Sequence, residues 1–120
     1  MRDWIYVDDH VSALYQIAKR GNAKESYTIG GNSERTNIEV VHSICDILQE
    51  KLKPEGDFKF RSLLEHVTDR PGHDYRYAIN SKKIARDFAW SPTESFQTGL
   101  AKTVDWYLKN QEWCENVSNE

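Results

Sequence analysis

Cysteine and proline are scarce in this 120-residue chain, and each scarcity excludes something. Two cysteines, Cys45 and Cys114, make no disulfide framework, so a reducing, cytoplasmic setting is expected. Three prolines and six glycines leave no collagen-like or low-complexity stretch and no clear linker. No apolar run approaches the roughly 18 residues of a membrane helix. The first residues are charged and aromatic, so no secretory leader is expected. A block of charge of one sign is missing too. The formal net charge is −3 with neither a basic cluster nor an acidic run, which argues against nucleic acid or an anionic membrane as partner. His10, His42, His66 and His73 show no metal-ligand spacing. No G-x-S-x-G elbow occurs, and the glycines at 21, 30, 31, 56, 72 and 99 form no dinucleotide fingerprint. No metal or cofactor site is therefore expected on this chain alone.

What remains is ordinary globular composition, 38% hydrophobic and 29% charged, in a chain long enough for one modest core. The run Trp4 to Val7 is β-branched and aromatic and predicts a strand. Asp9 is placed to cap a following helix with Val11, Leu14, Tyr15 and Ala18 on one stripe, and Gly21 is placed to end it. Ser26 to Ile29 predicts a short strand stopped by Gly30 and Gly31. Thr36-Asn37-Ile38-Glu39 has capping-box spacing and opens a helix with Ile38, Val41, Cys45, Leu48 and Leu52 on one face. Phe58 to Thr68 is ambiguous, with a strand expected at its end. Asn80 or Ser81 caps a short helix carrying Ile84 and Phe88. A last helix starts near Phe96, with Leu100, Val104 and Tyr107 in line. Residues 1–110 form the predicted unit, and residues 111–120 are expected to fray. Two or three strands make a small sheet, so the pattern looks like part of an α/β protein that begins inside an element.

One stretch has chemistry of its own. Asp69-Arg70-Pro71-Gly72-His73 predicts a type II turn, with Pro71 and Gly72 at its centre. Arg70 and His73 then flank the turn and can converge on one anion, the guanidinium offering a planar fork to phosphate oxygens. Arg2 precedes the first predicted strand, and Asn37 stands at the electropositive start of a helix. Taken singly, each has a plainer explanation: a charged turn, a terminal charge, a helix cap. Asp8-Asp9-His10 is better explained by helix capping than by metal binding. Tyr15 and Lys19 have the spacing of a Tyr/Lys acid-base pair, but Tyr15 falls on the apolar stripe and Lys19 at a solvated helix end.

Together these features form a familiar series. Arg2-Asp3-Trp4-Ile5-Tyr6-Val7-Asp8-Asp9-His10, Tyr27-Thr28-Ile29-Gly30-Gly31, Asn37-Ile38-Glu39-Val40-Val41, Asp69 through Ile79, and Lys102-Thr103-Val104-Asp105-Trp106-Tyr107 follow one another in order. The series closely resembles the C-terminal third of the bacterial dTDP-glucose 4,6-dehydratases, within the extended short-chain dehydrogenase/reductase superfamily. The resemblance covers all but the last residues. It implies an α/β fold: the C-terminal substrate-binding part, mostly helices with a few short strands, without the Rossmann domain. It implies a lyase of deoxysugar synthesis that converts dTDP-glucose to dTDP-4-keto-6-deoxyglucose. It further implies substrate contacts from Arg2, Asn37, Asp69, Arg70, Pro71, Gly72 and His73, with Arg2, Arg70 and His73 on the pyrophosphate and Asn37 on the nucleotide. NAD, the acid-base residues and the dimer helices belong to the Rossmann half, which is absent here. Tyr15 and Lys19 fall outside the family's catalytic position. No catalytic residue is thus expected on this chain, which alone is expected to be inactive, its partners being dTDP or dTDP-glucose and the missing half. An autonomous nucleotide-binding module, or a fragment of a related NAD-dependent nucleotide-sugar epimerase or decarboxylase, are the alternatives.

Overall fold

A computed structural model describes residues 1–118. It is mostly helical, with one two-stranded antiparallel sheet. Strand β1, Arg2–Asp3, pairs with β2, Glu34–Arg35, so that Arg2 lies opposite Arg35 and Asp3 opposite Glu34. The helices are α1 (Val7–Arg20), α2 (Asn37–Leu52), α3 (Lys82–Phe88), α4 (Phe96–Lys109) and α5 (Gln111–Ser118), with a short 3₁₀ turn at Phe60–Leu63.

The predicted strand at Trp4 to Val7 is not formed. Trp4 still donates its N–H to the Ser33 carbonyl at 3.1 Å, but beyond it the chain turns directly into α1. The ladder stops because Gly31 crosses at close range. A Cβ on Gly31 would stand 1.9 Å from the Trp4 carbonyl oxygen, so only glycine passes there. The Asp3 carboxylate fixes this crossing by accepting from Gly31 N at 2.9 Å and Ser33 N at 2.6 Å.

Asp9 does not cap α1, whose N-cap residue is Tyr6 with no side-chain cap. The carboxylate is instead buried within the first turn of the helix. It accepts from Thr93 N at 2.9 Å, Thr93 Oγ1 at 2.6 Å and Glu94 N at 3.0 Å, and so ties α1 to the loop before α4. Because Asp9 faces inward, so do Ala13 and Ile17, at helical spacing behind it. The predicted stripe is rotated outward: Val11, Leu14 and Tyr15 are 49–61% exposed. α1 ends at Gly21 as predicted, though with φ −69° rather than a left-handed cap.

Ser26 to Ile29 and the end of Phe58 to Thr68 are not strands either, and neither segment joins a backbone ladder among the described residues. Tyr27 and Ile29 instead deliver side chains to the main core, where Ala13, Ile84 and Trp90 are buried with Ile5, Ile17 and Phe88 around them. In α2, Thr36 is the cap, accepting from Glu39 N at 3.3 Å while the Glu39 carboxylate accepts from Thr36 N at 2.7 Å. Val40 and Cys45 are its buried residues, whereas Ile38 and Leu52 of the expected face are 40% and 49% exposed. α2 packs on α4, which buries Val104, and on the 3₁₀ turn through the Arg61–Asp46 pair. The segment expected to fray is helical over Gln111–Ser118, because Trp113 folds back edge-on against Trp106 with ring centroids 5.1 Å apart. Glu120, like residue 119, lies outside the described residues.

Candidate anion-binding site

The turn at residues 70–73 has the predicted form. His73 N donates to the Arg70 carbonyl at 3.3 Å across it, and Gly72 has φ +74°, the positive value a type II turn needs at its third residue. Pro71 and Gly72 are exposed at its tip. Asp69 braces the turn from below: its carboxylate accepts from Arg70 N at 2.8 Å and meets His73 Nδ1 at 2.8 and 2.9 Å. The His73 hydrogen bond, more than the neighbouring charges, holds the Asp69 carboxyl below its usual range.

The structure brings Arg2 to this turn across 71 residues of sequence. Arg2 Nη2 lies 2.6 Å from His73 Nε2 and donates to the Asp74 carbonyl at 3.0 Å, while Nη1 donates to the Met1 carbonyl at 2.7 Å. The guanidinium stacks 4.4 Å above the Tyr77 ring. Three of the five N–H groups of an arginine are thereby used inside the chain. The Arg70 guanidinium makes no hydrogen bond or ion pair among the described residues and is exposed. Both ring nitrogens of His73 are engaged within the protein, so its expected donor to an anion is turned inward.

Asn37 lies just past the sheet. It is two residues beyond Arg35, the strand partner of Arg2, and is the first residue of α2. Thr36 makes the cap, so the exposed Asn37 side chain is left at the positive helix end with no partner among the described residues. It borders a recess of about 220 Å³ closed by Ile38, Val41 and the segment Leu64 to Val67. A larger groove of about 860 Å³ runs between Trp4, Phe96, Trp106 and Trp113. None of the expected site residues lines it, and its walls are mainly apolar.

Sequence reasoning missed three supports of Arg2: Asp74, Tyr77 and the Arg76–Glu34 pair. Tyr77 donates its hydroxyl to the Asp74 carboxylate, and that bond raises the tyrosine's pKa. Arg76 grips Glu34 of β2 in a fork at 2.6 and 2.7 Å, which lowers the Glu34 pKa and clamps the post-turn segment onto the sheet. The alternation of charged and aromatic residues over Asp74-Tyr75-Arg76-Tyr77 was the available signal, since residues two apart share a side of an extended chain.

A family model described as GDP-mannose 4,6 dehydratase matches residues 1–103. The dTDP-glucose 4,6-dehydratase of Escherichia coli is 51% identical over 119 residues, covering 98% of this chain and 33% of that protein. The enzyme of the same name from Neisseria meningitidis serogroup B is 50% identical over 121 residues, covering 99% of this chain and 34% of its own length. The chain thus spans about a third of the length of the curated relatives it matches. Among solved structures, Bacillus anthracis dTDP-glucose 4,6-dehydratase in complex with NAD superposes with TM-score 0.79 and 45% identity, over 92% of this chain and 32% of that one. DesIV, the dTDP-glucose 4,6-dehydratase of Streptomyces venezuelae with NAD and TYD bound, gives TM-score 0.75 and 38% identity over the same shares.

Proposed function

Because this chain belongs to the GDP-mannose 4,6 dehydratase family, we propose that it is the nucleotide-contacting third of a NAD-dependent dTDP-glucose 4,6-dehydratase, a cytoplasmic lyase of deoxysugar synthesis. The observation that carries this reading is the match to the Escherichia coli enzyme along 98% of the chain. The geometry supports a binding role. Arg70 and the two unspent N–H groups of Arg2 face the substrate diphosphate. Asn37, at the positive end of α2, faces the nucleoside. Asp69, Pro71, Gly72 and His73 give the turn its shape.

The whole enzyme uses NAD in this reading, and the described residues do not fit that cofactor. Their sheet is a single antiparallel pair, without the parallel βαβ unit and glycine-rich turn that seat a dinucleotide pyrophosphate. No oxidation or elimination step is therefore assigned to this chain. It binds and orients, in concert with a unit carrying the dinucleotide fold. The family's dimer contacts belong to that unit as well.

The test is amide NMR of the chain titrated with dTDP, alongside an assay of dTDP-glucose turnover with NAD. Shift changes are expected near Asn37 and Asp69 to His73, with no 4-keto sugar formed. Shifts confined to the tryptophan-lined groove, or turnover by the chain alone, would overturn the reading.

A further inference from the structure

His73 sits between two partners that fix its tautomer. Asp69 presents carboxylate oxygens to Nδ1 at 2.8 and 2.9 Å, so Nδ1 carries the hydrogen. Arg2 presents a guanidinium, which has donors only, to Nε2 at 2.6 Å, so Nε2 must offer its lone pair. A neutral ring in this geometry accepts from Arg2 and donates to Asp69. Neither nitrogen is left for a ligand.

Resting on the binding role above, we propose that His73 is a positioning residue: it holds the Arg2 guanidinium in place for the substrate diphosphate only while its ring is neutral, so that acid disarms the site. Protonation would place an N–H against the Arg2 N–H and two positive charges at hydrogen-bond distance. Arg2 would then keep only the Met1 and Asp74 carbonyls and the Tyr77 ring. The other charged or titratable groups around this point are Asp69 and Arg70 on the turn, Asp74 and Tyr77 beyond it, Arg35 opposite Arg2 on β2 with the Glu34–Arg76 pair beside it, and the Met1 amino group, which donates to the Tyr75 carbonyl at 2.7 Å. Between about pH 7 and about pH 5, side chains of these classes other than imidazole keep their charge.

The sign of the pH effect separates this role from direct contact. An imidazolium touching the diphosphate would tighten binding as pH falls, whereas a spacer that must stay neutral weakens it. The probe is dTDP-glucose, whose doubly esterified diphosphate does not titrate in this interval. Its affinity for the 120-residue chain, measured by calorimetry, is expected to fall roughly tenfold from about pH 7 to about pH 5. His73→Gln offers one amide acceptor and one donor. It is expected to restore binding relative to His73→Phe and to flatten the pH dependence, which excludes His10, His42 and His66 as the source. Tighter binding in acid, or an unchanged slope in His73→Gln, would overturn the proposal. The ligand-free imidazole ¹⁵N spectrum is read in parallel. An Nδ1-protonated ring supports the spacer, and an Nε2-protonated ring overturns it. Absence of dTDP-glucose binding at every pH would instead count against the binding role itself, leaving the ring spectrum to decide the position of His73.

Discussion

Two residues, one through its side chain and one through having none, fix where distant stretches of backbone meet. Asp9 is 4% exposed, and burial alone would raise its pKa; hydrogen bonds from Thr93 and Glu94, with the charge of Lys102, outweigh that and lower it. A carboxyl whose folded pKa is depressed adds stability above its unfolded pKa and loses it as pH falls through the folded value. Asp9→Asn is therefore expected to cost about 2–3 kcal/mol in urea unfolding at neutral pH, because it leaves a part-buried backbone donor and a hydroxyl poorly matched at a buried side chain. The difference from the parent should vanish as pH drops below the ordinary carboxylate range. Gly31 is constrained by backbone rather than by side chains. Gly31→Ala must push the Trp4 carbonyl aside, with an expected loss of about 2–3 kcal/mol in the same measurement. Asp9 was visible in the sequence as an acid near a helix start, but its partner at position 93 was not, because local capping rules carry no information about a loop 84 residues away.

At the scale of elements, the sequence was most legible where a helix end satisfies itself. Thr36 with Glu39 makes the predicted capping box, and Ser95 with Thr98 makes a second one at the predicted start near Phe96. Thr36→Ala should cost about 1 kcal/mol and destabilise α2 first, which hydrogen exchange of the Ile38 to Val41 amides would detect. An unchanged exchange pattern there would show that packing on α4, rather than the cap, sets the start of the helix. The sequence was least legible where tertiary pairing decides. Trp4 to Val7 and Ser26 to Ile29 have strand composition, but a strand exists only with a ladder partner, and none is supplied among the described residues. The type II turn was legible because Pro71 and Gly72 define it locally. The meeting of Arg2 with His73 was not, since only the resemblance placed them together.

The whole molecule carries more surface than its mass warrants. Its accessible area is 9354 Å², against about 6700 Å² for a compact monomer of 14.0 kDa, and its radius of gyration is 17.6 Å where about 14 Å is usual. Much of the excess is apolar: Val7, Val11, Leu14 and Tyr15 share the outer face of α1, and Trp106 and Trp113 line the open groove. Such a face favours association. Val11→Lys with Tyr15→Lys is expected to leave unfolding within about 0.5 kcal/mol of the parent while lowering self-association in sedimentation velocity. Unchanged association would shift the attraction to the tryptophan groove. The joining of Arg2 to His73 also has a consequence in time. The capping boxes close over three residues, whereas the Arg2–His73 contact closes over 71, and long loops are slow to close. During refolding, the helices should therefore acquire exchange protection before Arg2, Asp3 and Tyr77, and the Arg2–His73 contact should be the last to return.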